Sequence, residues 1–159
     1  AITAAGSGCM AAIDAERFLE ARDTQNVKGE RVLTGMNRRM SKPHKQLDAW
    51  TTAVELAQLV YKTTDEFPAR EQFGLTNQAR RAAISIPSNI AEGAARQTKK
   101  EFIQFLYIAR GSLSELDTQL ELARRLEYLG QRELESLVEM LERVDRMLSG
   151  LIRHLRIKD

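Results

Sequence analysis

The chain has 159 residues, 43% hydrophobic and 29% charged, which is the length and balance of one ordinary soluble domain with a sizeable core. Its formal net charge is only +2, so attraction to phosphate has to come from how basic residues are arranged and not from a global excess. The single cysteine, Cys9, excludes an internal disulfide, and no apolar run reaches the roughly eighteen residues needed to span a bilayer.

The first thirty residues carry no basic start, apolar stretch and cleavage pattern of a secretory signal, so the expected location is the cytoplasm, with no membrane contact. Residues 1–21, AITAAGSGCMAAIDAERFLEA, closely resemble the extreme C-terminus of bacterial thioredoxin reductase, where such a segment opens the last helix beside the flavin. Gly6, Gly8 and Ala11 satisfy a G-x-G-x-x-A spacing, but no strand precedes them and the rest of a flavoprotein is missing, so no flavin or other cofactor is expected. Cys9 is read as an inert free thiol. Between Ala21 and Arg39 the chain has few apolar residues and no helical or alternating period, the signature of a solvated linker. Residues 1–39 are therefore expected to be a flexible, poorly ordered appendage, derived from a fusion or from a reading frame begun upstream, with Met40 as the natural start. The domain is expected to span 40–159. There lysine and arginine number 18 against 17 acidic residues, a weak advertisement for nucleic acid.

Four helices are predicted in that domain. The first runs from about Gln46 to Glu66 with Leu47, Trp50, Val54, Ala57 and Tyr61 inward, closed by Phe67 and Pro68. The second runs from Thr76, read as its cap, to about Ala94, and has Pro87 in its interior. An interior proline removes one backbone bond and usually kinks a helix, leaving carbonyls near Ile84 and Ser85 to be satisfied by other means.

Thr98 and Glu101 have the spacing of a capping box and open the third helix, whose inward face reads Phe102, Phe105, Ala109, Leu113, Leu116, Leu120 and Ala123, continuing towards Tyr128. Gly130 is suited to end it in the left-handed conformation. In the fourth, Leu134, Leu137, Leu141, Val144, Leu148, Leu151 and Leu155 alternate spacings of three and four on one stripe. Burying that stripe yields roughly 10 to 20 kcal/mol gross before ordering entropy offsets most of it, so it demands partner helices. The fold class is all-α: an antiparallel up-down-up-down four-helix bundle with a proline-containing second helix, in which the last two helices form a hairpin.

Two groups of polar residues are candidate sites. Ser85, Ser88, Asn89 and Glu92 form a stripe on the second helix, and Ser112 and Glu115 stand on the third near Gly111, where two backbones could approach closely. The preferred account is a buried hydrogen-bond network that sets helix register; a small-ligand or catalytic site is the alternative. Catalysis lacks its base, because His44 and His154 are expected near opposite ends of the domain, and the Glu-x-x-His spacing of a di-iron bundle is absent. No enzyme activity and no metal are expected. Arg80, Arg81, Arg96, Lys99 and Lys100 form the basic group read as phosphate contacts, with Arg124 and Arg125 as a second pair. A charged helix face is ordinarily only solvated, and the group becomes persuasive when repeated around a ring of subunits. Repetition is hinted by Phe102, Ile103, Phe105, Leu106, Tyr107 and Ile108, whose side chains point almost all round the helix; a broad intramolecular core is the alternative.

The stretches containing Ser85-Ile86-Pro87-Ser88-Asn89-Ile90-Ala91-Glu92-Gly93 and Ala109-Arg110-Gly111-Ser112-Leu113-Ser114-Glu115 resemble the bacterial four helix bundle protein family, first noticed as reading frames in intervening sequences of large-subunit ribosomal RNA genes. The resemblance covers residues 40–159. It implies an antiparallel bundle that assembles as a homopentamer. Through the related accessory variability determinant of diversity-generating retroelements, a basic five-bundle barrel, it implies nucleic acid and a reverse transcriptase as partners. No catalytic residue is implied. The expected function is thus a non-enzymatic oligomeric binding protein that holds RNA or DNA nonspecifically; the alternative is a protein-protein adaptor docking a helical partner.

Overall fold

The computed structural model describes Leu19 and residues 42–157. Four α-helices account for most of them: α1, Asp48–Thr64; α2, Leu75–Ala94; α3, Lys99–Arg125; and α4, Gln131–Ile157, with short 3-10 turns at Pro43–Gln46 and Ala69–Glu71. No strand occurs among the described residues. Each helix packs on its two neighbours in a ring, α1 on α2 and α4, α3 on α2 and α4, and the diagonal pairs stay apart. At 1.5 Å rise per residue, α3 and α4 are each about 40 Å long. Arg110 and Asp145 pair across them at 2.8 Å, as expected for an antiparallel hairpin.

The α1–α2 and α3–α4 connections lie at the same end of the bundle and are clasped together. Arg70 donates to the Tyr128 hydroxyl at 2.9 Å, that hydroxyl donates to Glu71 at 3.3 Å, and the Phe67 and Tyr128 rings meet at 5.9 Å. The opposite end holds the start of α1, the α2–α3 turn and the end of α4. The up-down-up-down bundle is therefore the observed fold. The expected division at residue 40 lies largely outside the described residues; Leu19, from the N-terminal segment, is half-buried and packs against the core.

The third and fourth helices bury nearly the predicted stripes. Leu137, Leu141, Val144, Leu148, Leu151 and Leu155 are buried together with Met147 and Ile152, while Leu134 is partly covered. In α3, Leu106 and Ser112 join the buried face and Phe105 is only half-buried. The first helix departs most from expectation. Its buried face is Ala49, Thr52, Ala53, Leu56, Ala57 and Val60, so Trp50 and Val54 are only partly covered and Tyr61 is 39% exposed. Ala49, Ala53 and Ala57 line this face beside Leu56 and Val60, and Trp50, Val54 and Tyr61 lie at its flanks.

Helix ends show further differences. Thr76 lies inside α2, buried; the N-cap position is Gly74, and the Glu71 carboxylate accepts from the Leu75 amide at 3.0 Å. The capping box forms as read: the Thr98 hydroxyl accepts from the Glu101 amide and the Glu101 carboxylate from the Thr98 amide, both at 3.2 Å. The third helix ends at a left-handed Glu127, φ 60°, instead of at Gly130. The Tyr128 amide bonds the Ala123 carbonyl and the Glu127 amide that of Arg124, the paired bonds of a Schellman ending.

The close helix crossing falls at a different glycine. A Cβ on Gly93 would lie 2.6 Å from the Phe105 Cβ and 2.8 Å from Phe102 Cδ2, so only glycine lets α2 and α3 meet there. A Cβ on Gly111 would meet nothing within 4 Å, and this residue does not serve the approach expected of it.

Candidate nucleic-acid interface

The predicted basic residues do not form one patch. Along α2 at 1.5 Å per residue, Arg80 and Arg81 stand about 24 Å from the level of Arg96, Lys99 and Lys100. Arg80 is an internal clamp: its guanidinium donates to Thr64 Oγ1 at 2.8 Å, to Asp65 at 2.7 Å and to the Tyr61 carbonyl at 3.4 Å, and lies 4.7 Å from the Tyr61 ring centre. Its side chain is only 25% exposed, and its charge-assisted bonds join α2 to the end of α1. Arg96 pairs with Glu92 and covers the Phe105 ring at 4.8 Å. Lys99 is half-buried. Arg81 and Lys100 are exposed, and among the described residues neither forms an ion pair.

The second basic pair is likewise engaged. Arg124 and Arg125 both donate to Glu121 at 2.8 Å, and these bonds, Arg124's first, hold the Glu121 carboxyl at about 2, below its ordinary value of 4.5. A third basic surface was not singled out by sequence reasoning. Arg110, Arg153 and Arg156 line a groove of about 310 Å³ between α3 and α4 beside Tyr107, but Arg110 is paired with Asp145 and Arg156 lies 5.6 Å from the Tyr107 ring centre. The recurrence of Arg153 and Arg156 on one side of α4 was its only sequence signal.

Arg81 borders a hollow of about 330 Å³ at the start of α2, lined also by Arg80, Tyr61, Gln72, Phe73 and Asn77. Phe73, in the loop before α2, is 86% exposed. Tyr61 also borders an apolar groove of about 470 Å³ between α1 and α2, with Val54, Ala57, Ile84 and Pro87.

The polar stripe does not form the expected network between helices. Ser88 donates to the Ile84 carbonyl at 2.8 Å, and Asn89 donates to the Ser85 carbonyl at 2.7 Å and to its hydroxyl at 3.1 Å. Ser112 donates to the Ile108 carbonyl at 3.3 Å, and Glu115 accepts from Gln119 at 3.3 Å. Each of these bonds stays within one helix, and Glu92 pairs with Arg96 two residues beyond the end of α2. On α2 they serve backbone carbonyls around Pro87, whose missing N–H and ring loosen the local ladder. Helix register is set instead by the Gly93 crossing and the apolar core.

Both histidines lie at one end of the bundle, because the up-down-up-down course returns the end of α4 to the start of α1; their expected separation does not hold. His44 packs against Trp50 with ring centres 5.0 Å apart, and burial, with Lys42 and Lys45 nearby, lowers its pKa from the ordinary 6.5. His154 Nε2 is buried and has no hydrogen-bond partner among the described residues. Neither histidine bonds Ser85 or Ser88, whose hydroxyls are engaged along α2. Among the described residues no group of three or more His, Cys, Asp or Glu is placed to hold a metal ion, and no helix is long and apolar enough to cross a membrane.

These features define a protein of antiparallel four-helix-bundle class with a proline in its second helix and a divided basic surface. The chain belongs to the family described as 23S rRNA-intervening sequence protein, which it matches over residues 45–150. Five chains of solved structures match it. One is a protein with unknown function from the S23 ribosomal protein family of Bacteroides thetaiotaomicron, 27% identical, with a TM-score of 0.60 over 65% of this chain and 97% of that one. No curated protein matches.

Proposed function

We propose that the protein is a non-enzymatic, self-associating helical bundle of the cytoplasm that binds RNA or DNA without sequence preference. The observation that carries this reading is the state of Arg81: exposed, without an acidic partner among the described residues, at the mouth of a hollow lined by aromatic rings and polar side chains. Its neighbour Arg80 is committed to the fold, as are Arg96, Arg110, Arg124 and Arg125 to carboxylates. Arg81 and Lys100 are the predicted basic residues left to meet phosphate. Two contacts per subunit are few, and repetition in a ring of copies, five by family resemblance, multiplies them. The apolar groove beside Ile84 supports self-association, and Tyr61 borders both this groove and the Arg81 hollow.

The test is a salt series of binding to RNA and DNA. Affinity should fall steeply with salt, and Arg81→Glu combined with Lys100→Glu should weaken binding to all sequences alike. Removing one phosphate-binding side chain should flatten the log-log salt slope by about 0.7 to 0.9. Salt-independent affinity overturns the reading. The same apolar groove favours a second reading, an adaptor that docks an apolar helix, which leads if the protein is monomeric and has no affinity for nucleic acid.

A further inference from the structure

The geometry points to an unpaired nucleotide as the ligand of the Arg81 hollow, its base stacked on Phe73 and its phosphate met by Arg81, so that the protein prefers single strands to duplexes. The inference rests on the nucleic-acid reading above and narrows it. Four aromatic rings on the bundle's outside, Tyr61, Phe105, Tyr107 and Tyr128, each carry an arginine guanidinium against the face, at 4.7, 4.8, 5.6 and 5.6 Å. Among the described residues Phe73 is the most exposed aromatic side chain, and it carries no such guanidinium. A phenyl ring 86% open to water forgoes most of its burial energy, which a ring packed for stability alone would not do.

Its surroundings suit a base. The Arg80 guanidinium stacked on Tyr61, itself fixed by Thr64 and Asp65, makes a rigid cationic wall to the hollow. The Gln72 and Asn77 amides at its rim offer both donors and acceptors, which fits several base edges and no one sequence. The volume of about 330 Å³ falls at the lower end of small-ligand pockets, about 300 to 1,000 Å³. In a duplex the faces of the bases are covered by their neighbours, so only an unpaired base can use an aromatic platform.

The experiment measures fluorescence anisotropy of a short fluorescein-labelled oligoadenylate RNA, alone and annealed to oligouridylate, with the full chain. The single strand should bind more tightly. Phe73→Ala should weaken it about tenfold and leave the duplex unchanged, whereas Phe73→Tyr should retain the affinity, because stacking on an aromatic ring tolerates the added hydroxyl. Arg81→Glu should weaken both forms. If Phe73→Ala leaves single-strand binding unaltered while Arg81→Glu weakens both, the stacking site is overturned and the phosphate reading stands. If neither form binds, both readings fall. A change in molar mass on Phe73→Ala would make Phe73 a subunit contact and would also overturn the site.

Discussion

At the residue scale, Glu127 holds the least comfortable backbone in the described chain. It is the one non-glycine residue with positive φ there, and it occupies the position of a Schellman ending that glycine normally fills. A side chain in the left-handed region crowds the following carbonyl, and glycine removes that cost while adding freedom to the unfolded chain. Glu127→Gly should therefore stabilise the protein by about 0.5 to 1 kcal/mol, read as a higher urea midpoint with unchanged slope. An unchanged or lower midpoint would mean that the Glu127 side chain contributes more than its backbone costs. The sequence drew attention to Gly130 three residues later, because glycine carries the usual signal and glutamate carries none.

At the element scale, the α2–α3 crossing and the exposed flank of α3 respond oppositely to the same chemical change. Gly93→Ala would force a methyl to within 2.6 Å of the Phe105 Cβ, and should cost about 1 to 3 kcal/mol by overpacking. Gly111→Ala adds a methyl into open space on a helix and should gain about 0.5 to 1 kcal/mol. Thermal melting of the two variants, measured side by side, checks both signs; a neutral Gly93→Ala would show that the crossing can open. Periodicity marked both helices correctly, and both glycines looked alike within it. Which one faces a neighbour depends on the roll of α2 against α3, which is decided by Phe102 and Leu106 filling the core. The expected Ser85–Glu115 network failed for a related reason: the nearest carbonyls around Pro87 and along α3 offered those side chains partners within their own helices.

At the scale of the whole molecule, the bundle leaves apolar side chains uncovered on several sides, among them Ile84, 44% exposed in the α1–α2 groove, and Ile108, Leu122 and Leu126 on and just beyond α3. Because Ile84 is outside the core, Ile84→Glu should leave each bundle folded while placing a charge in the proposed subunit contact, where desolvating it is costly. Light scattering should show an oligomer for the unaltered protein and a smaller species for this variant, with unchanged helical circular dichroism. A monomer in both cases would remove self-association and with it the repeated basic surface.

The sequence by itself determined the number of helices, the buried stripes of α3 and α4 and the capping box at Thr98, because a 3.6-residue period and a four-residue hydrogen-bond motif are local and need no knowledge of the neighbours. It also marked the arginines, but not their state. Only the tertiary structure decided that Arg80 is a clamp while Arg81 faces solvent, that Ala53, Leu56 and Val60 and not Trp50 or Tyr61 form the inner face of α1, and that both histidines share one end. Each of those outcomes depends on side chains brought together by chain reversal, and an apolar residue such as Tyr61 satisfies the helical period equally well facing the core or the flank until the partner helices are in place.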